Sequence, residues 1–348
     1  MSGGYRKPDA SEGLRLHLNE NTAGCSPAVF DELRALTRFD AAFYPDYEAA
    51  QAAVAGFFGV DPAFVLLTNG LDEGILAVTA AAFRDRSGGV PEGLGVLPAF
   101  DMYEVCSHAL GGRLVTVPLG SGFEYRFDDL RGARTPQTRI VFLTNPHNPT
   151  GMRLPLDPVR ALIPAVAPAL VFLDEAYADF SGDSLIDAAL LDRHRNLVVG
   201  RTFAKAYGLA GLRVGALLAH PDTLAPMRLV VPPYSVNAWA AAVLPTAVAD
   251  REYRDWYIAQ AAQSRARLAA ACERLGLRTW PSAANFMLVD AGPGASALAA
   301  RLAGRGIHVR DKSSEPGCEG CLRMTTGIVE HTDRLIAAIE EALCARPR

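Results

Sequence analysis

The sequence has few cysteines, little net charge and no long uninterrupted apolar run. Six cysteines in 348 residues, at 25, 106, 272, 318, 321 and 344, are too sparse for a disulfide scaffold and read as reduced cytosolic thiols. Cys318 and Cys321 make one CxxC, but a single pair without a nearby histidine reads as incidental, so no metal is expected. Against 34 basic residues stand 38 acidic ones, a net charge of −4 that argues against nucleic acid as a partner. The one long apolar stretch, Val236 to Val248, is broken by Asn237 and Pro245. It falls short of the ~18 apolar residues of a membrane span, so no membrane partner is expected. The opening, MSGGYRKPDASEG, is polar and has no hydrophobic region of signal-peptide type, which points to a cytoplasmic protein. Neither a Walker loop nor GxGxxG occurs, which disfavours nucleotide binding.

What is present is apolar and alternating. Half the residues are apolar, enough for a real core, and the length suits two domains. From residue 64 to 220, strand-like runs alternate with helix-like ones. FVLLTNG (64–70), GLGVLPAF (93–100), GRLVTVPL (112–119), RIVFLTNP (139–146), ALVFLDEAY (169–177), NLVVGRTF (196–203) and VGALLAH (214–220) read as strands. Near-continuous apolar runs suit strands covered on both faces, so an α/β fold with a mostly parallel sheet flanked by helices is predicted. After Pro232–Pro233 the pattern changes. A long helix (250–275), strands in NFMLVDA, IHVRD and CLRMTTG, and two further helices read as a smaller α+β domain. The predicted division is an N-terminal arm (1–30) packing on the small domain, a large domain (31–244) and a small C-terminal domain (245–348).

Ligands in open α/β sheets sit beyond the carboxyl ends of the strands, and here three strands end in polar clusters. NPHNPTG (145–151) fixes two asparagines between prolines. DEAY (174–177) puts a carboxylate at the end of a buried strand, where it needs a cationic partner, with the phenol of Tyr177 three residues on. RTFAKAYGLAGLRVG (201–215) sets Lys205 among small and apolar residues, whose desolvation lowers the pKa of an amine nucleophile. Thr202 and Arg213 flank it and suit an anion. A fourth element, TNGLDEG (68–74), offers backbone N–H groups of residues 70–72 at a helix start, which suits a phosphate. A Schiff-base lysine, an aspartate for a pyridinium nitrogen, phenol and amide donors and a phosphate cup together describe pyridoxal 5'-phosphate.

In these motifs the chain resembles the class I/II aminotransferases of pyridoxal-phosphate fold type I, and within them the histidinol-phosphate aminotransferases. LHLNENTAGCSP (16–27), FYPD (43–46), NPHNPTG, DEAY, RTFAKAYGLAGLRVG and CLRMTTG match in order and at similar spacing. The resemblance implies a large domain with a seven-stranded sheet and a smaller C-terminal domain. It implies Lys205 as the Schiff-base lysine and proton shuttle, and Asp174 as the partner of the pyridinium nitrogen. It places Asn148 and Tyr177 on the ring hydroxyl, and Phe100 on the ring face. Thr202, Arg213 and the backbone of Leu71 and Asp72 would hold the phosphate. Tyr44 would reach the cofactor of a neighbouring subunit, which implies a homodimer with shared sites. Arg323 would bind the substrate's carboxylate or an acidic group in its place, with Arg310, Asn19 and Asn285 on the substrate side. Three departures bear on the substrate. Ala204 stands where the family commonly has serine, Leu71 where serine or alanine is usual, and Tyr5 alone stands for a Pro-Tyr pair that often precedes the N-terminal motif.

The implied reaction is ping-pong transamination between an amino donor, most plausibly histidinol phosphate, and a 2-oxo acid acceptor such as 2-oxoglutarate. An aromatic amino-acid aminotransferase, a threonine-phosphate decarboxylase or a natural-product enzyme on the same scaffold remain open. A regulator with a DNA-binding domain in front fits poorly, with only about 15 residues before LHLNEN.

Overall fold

The computed structural model describes residues 12–344; Tyr5 lies outside them. In chain order its strands are β1 (Leu14–Leu16), β2 (Val65–Thr68), β3 (Glu92–Leu97), β4 (Arg113–Pro118), β5 (Thr138–Thr144), β6 (Leu170–Asp174), β7 (Leu197–Thr202), β8 (Gly215–Leu218), β9 (Arg278–Thr279), β10 (Phe286–Asp290), β11 (Ile307–Asp311) and β12 (Cys321–Thr325).

Seven strands form one sheet in the order β2-β8-β7-β6-β5-β3-β4. β4, β3, β5, β6 and β7 run parallel. β8 is antiparallel to β7 and β2, a departure from the simple alternation read above. The reason is local. β7 and β8 are joined by the Lys205 loop with a single 3-10 turn, Ala210–Leu212, and a parallel return needs a longer crossover. Side chains alternate across the sheet. Ile140, Phe142, Phe172, Val198 and Leu217 meet the helices Gly70–Ala82, Met102–Ala109 and Pro221–Arg228 on one face. Val141, Leu143, Val171, Leu173 and Val199 face the helices Glu48–Phe58, Leu156–Ala165 and Ala238–Ala249 on the other. The last of these is the apolar stretch around Pro245. Asn237 caps it by accepting from the Ala240 amide at 2.9 Å. Among the described residues no helix is long and apolar enough to cross a membrane.

The second sheet runs β1-β11-β12-β10-β9, with β1 parallel to β11 and the other pairs antiparallel. Leu14, Leu16, Ile307, Leu322, Met324, Met287 and Val289 fill one face, against the helices Arg251–Arg274, Ala295–Ala303 and Val329–Cys344. The last helix buries Thr332, Leu335, Ala338, Ile339 and Ala342, an i, i+3, i+4 stripe. The alternate positions, His308, Arg310 and Arg323, lie on the opposite face, from which Arg323 reaches Asn148 after β5. Cys318 and Cys321 are free thiols packed with Phe123, Trp280 and Leu288, and burial pushes both up to about 12. Among the described residues no group of three metal-ligating side chains occurs.

One buried charge cluster anchors β7 to β6. Arg201 bridges Glu175 at 3.2 Å and Asp179 at 2.9 Å, with all three side chains buried. Ser184 and the Leu185 amide complete Glu175 at 2.6 and 2.7 Å. Arg201→Met keeps the bulk and leaves two buried carboxylates without a cation. The expected loss is about 3–5 kcal/mol in urea unfolding, against less than about 0.5 kcal/mol for Arg160→Met on the surface.

Candidate active site

β5, β6 and β7 end side by side, and the polar clusters begin where they stop. Asp174, at the end of β6, is 3% exposed. Its Oδ2 accepts from the Tyr103 hydroxyl at 2.8 Å and its Oδ1 from the Ala176 amide at 2.9 Å. Among the described residues no cation lies within ion-pair distance of it. Burial pushes its pKa up to about 6, opposed by those two donors and by the charge of Lys205.

Lys205 follows β7 and faces the same space. Its Nζ donates to the Leu18 carbonyl at 3.0 Å and lies 5.8 Å from the centre of the Tyr177 ring. Burial, then the nearby charge of Arg323, lowers its pKa to about 8. An amine of that pKa is partly neutral near neutrality, as a nucleophile or proton carrier requires.

Arg323, on β12, joins the small sheet to this floor. Its guanidinium donates to Asn148 Oδ1 at 2.6 Å and to the His17 carbonyl at 2.9 Å, and lies over the Phe286 ring at 5.4 Å. Tyr177 accepts from Asn19 Nδ2 at 3.0 Å, and burial raises its pKa. Asn19, held at φ 55°, also donates its amide to Thr325 Oγ1 at 3.1 Å and gives its carbonyl to Asn285 Nδ2 at 3.1 Å. Asn285 is fully buried. Arg310 is the register partner of Arg323 across β11 and β12, so two guanidinium-bearing positions adjoin on one face.

The helix Gly70–Ala82 starts beside this group. Asn69 makes no side-chain capping bond, so the helix's first amides stay open to an anion. Leu71 turns its side chain into the core. Asp72 pairs with Arg213 at 2.9 Å, which also brings that guanidinium to the helix start. Gly70 sits at φ +72°, and a Cβ there would stand 2.5 Å from Arg213 Nη2, so glycine is what allows the approach. Thr202 ends β7, and its Oγ1 accepts from the Ala204 amide at 3.2 Å. Phe100 is half-buried, edge-on to Tyr103 with centroids 5.9 Å apart. Tyr44 is not among the clustered residues: it is 78% exposed and stacks on Tyr234 at 4.2 Å.

Three participants escape sequence reading. Tyr103, one helical turn after Phe100, looks like a core aromatic until its hydroxyl is placed. Asn21 ties the N-terminal segment to the lysine loop by donating to the Ala206 carbonyl at 3.0 Å. His17 is buried with its Nδ1 unpartnered, and burial and the charges around it lower its pKa to about 4. Only the motif LHLNEN around it gave any signal.

This arrangement has counterparts. The family model for aminotransferase class I and II matches residues 11–339. Histidinol-phosphate aminotransferase 2 of Ralstonia nicotianae is 37% identical over 96% of this chain and 90% of its own. The structure of histidinol-phosphate aminotransferase from Sinorhizobium meliloti in complex with pyridoxal-5'-phosphate superposes with a TM-score of 0.87, at 30% identity, over 95% of this chain and 91% of that one. L-threonine-O-3-phosphate decarboxylase from Porphyromonas gingivalis superposes with a TM-score of 0.81, at 25% identity, over 95% and 99%. With a match spanning nearly its whole length and a relative this similar, the chain belongs to the class I and II aminotransferases.

Proposed function

We propose that the chain uses pyridoxal 5'-phosphate to transaminate histidinol phosphate with a 2-oxo acid such as 2-oxoglutarate, and works as a homodimer. One observation carries the cofactor assignment: Asp174 is buried at a strand end with no cation within ion-pair distance among the described residues. A protonated ring nitrogen supplies the missing partner. The lysine of lowered pKa and the arginine beside an open helix start fit the cofactor's aldehyde and phosphate.

When bound, pyridoxal phosphate supplies a carbon that takes an amine and a ring that stores the electron pair released at the substrate's Cα. The side chains divide the remaining work. Asp174 holds the proton on the ring nitrogen. Lys205 holds the cofactor and then moves the proton at Cα. Asn148 and Tyr177 hold the ring hydroxyl, with Phe100 against the ring face. Thr202, Arg213 and the amides of Leu71 and Asp72 hold the phosphate. Arg323 orients the donor so that the bond to be broken is the Cα–H bond, since the same cofactor supports other cleavages. Arg310 lies at the donor's phosphate end, and Asn19 and Asn285 border the donor's path.

The pairing of Arg310 with Arg323 supports a donor that ends in a phosphate ester, as do the names of the relatives. Phe30, Phe39, Phe43, Tyr44, Leu229 and Tyr234 are all exposed, a large apolar exposure for a single chain. The exposed stacks of Phe39 on Phe43 and Tyr44 on Tyr234 support a second copy covering them, with Tyr44 reaching its partner's cofactor. The test is a half-reaction screen of the loaded protein with histidinol phosphate, phenylalanine, tyrosine and threonine phosphate, read by the shift of the cofactor's near-visible absorbance. Histidinol phosphate is expected to convert the cofactor at least tenfold faster than phenylalanine, about the discrimination one charge-assisted contact gives. Conversion by phenylalanine alone, or carbon dioxide release from threonine phosphate, overturns the assignment.

A further inference from the structure

We propose that Tyr103 is a positioning residue for the ring-nitrogen carboxylate: its hydroxyl, backed by Thr144, holds Asp174 aimed and ionised for the cofactor. The proposal rests on the pyridoxal-phosphate reading above. Tyr103 is 2% exposed and stacked on Phe142, with centroids 4.8 Å apart and 12° between planes. That packing fixes the ring. Its hydroxyl then stands 2.8 Å from Asp174 Oδ2 and 2.8 Å from Thr144 Oγ1. A phenol has one proton, and a buried carboxylate is the stronger acceptor. The chain therefore runs from the Thr144 hydroxyl to Tyr103 to Asp174. Burial and the adjacent carboxylate hold the phenol's pKa well up, so it stays a donor.

The arrangement answers a specific problem. Asp174 faces Asp72 from the helix Gly70–Ala82, Lys205 from the loop after β7, and the phenols of Tyr125 and Tyr177. Of these only Lys205 favours the carboxylate, and its charge leaves when the amine engages the cofactor. The two hydrogen bonds, from Tyr103 and the Ala176 amide, then do the holding. They also restrict each oxygen of Asp174 and leave a defined direction for a ring N–H.

Tyr103→Phe keeps the stacking and removes the bond. The pKa of Asp174 rises, so the carboxylate that would pair with the ring N–H is neutralised at a higher pH than in the wild type. The expected result is an acid limb of the kcat/KM profile moved up by about one to two pH units, the size of one hydrogen bond to a charged group. Cofactor dissociation from the protein, followed by near-visible absorbance, should quicken roughly tenfold at pH 6 and converge with the wild type above pH 8. Thr144→Val should move both readouts in the same direction by less. It decides the matter if Tyr103→Phe does not fold. A variant that loses thermal stability with an unmoved acid limb and unchanged cofactor release overturns the proposal, because Tyr103 would then only pack. Wild-type protein that takes up no cofactor overturns the reading beneath it as well.

Discussion

Lys205→Ala is expected to lower kcat by roughly 10⁴-fold, the upper end of what one general acid–base group contributes. The same substitution removes the amine proposed to hold the cofactor, so the near-visible band of the loaded protein should be replaced by that of the free aldehyde. The packing around the site predicts that the fold survives. Among the described residues the Lys205 side chain makes one hydrogen bond, to the Leu18 carbonyl, while its neighbours Ala206 and Tyr207 are buried. pH provides an independent check. The pKa of the lysine is lowered to about 8, and the reactive form is the neutral amine. Capture of cofactor by the unloaded wild type should therefore climb with pH and level off above about 8. A capture rate that is flat from pH 6 to 9, or a variant retaining the wild-type band, would count against Lys205 as the attachment point.

Arg323→Ala carries the second large effect, a fall of roughly 10³-fold in kcat/KM for the donor. Two losses combine. The substrate's anionic group loses a planar, two-pronged partner, and Asn148 Oδ1 and the His17 carbonyl lose the donors 2.6 and 2.9 Å away. Both acceptors are in buried surroundings, where an unmade bond is costly. Arg323→Lys restores the charge without the fork, and should recover less than a tenth of the lost efficiency. Cofactor uptake should fall far less than donor turnover in both variants, because Arg323 reaches the proposed cofactor side only through Asn148 and its charge on Lys205. Steady-state kinetics and absorbance titration on the same preparations separate the two quantities. Equal losses in cofactor uptake and donor turnover would place Arg323 with the cofactor.

The sequence made the floor of the site legible, because the floor is built from strand ends. β5, β6 and β7 are buried on both faces and show as apolar runs, so Asn148, Asp174 and Lys205 stand out as the polar residues that follow them. The roof was less legible. Arg323 and Arg310 lie in short strands whose pairing brings them opposite each other, and no local pattern announces a cross-strand register. Tyr103 was missed for a similar reason. An aromatic on a buried helix face fits the core, and only the third dimension puts its hydroxyl on Asp174. β8 has the same apolar composition as its parallel neighbours, so the sequence does not show its direction. Its direction depends on what joins it to β7, and that connection is the catalytic-looking loop rather than a helix. The helices Pro27–Ala35 and Glu48–Phe58 had no assignment. The first is short and mostly exposed, and the second is alanine-rich with a weak polar face.

The N-terminal segment links two of these observations. Leu14–Leu16 completes the edge of the small sheet, and within a few residues the same stretch meets Lys205 through the Leu18 carbonyl, Tyr177 through Asn19 and Ala206 through Asn21. One short length of backbone is thus fastened at one end to the roof and at the other to the floor. The hydrogen-bond partners of the lysine and the phenol therefore sit on the same stretch of backbone that pairs with the small sheet. The segment is thus a strut between the two sheets, and changes to the length or stiffness of residues 14–16 would be transmitted along it to Lys205 and Tyr177 without altering a residue that bonds either.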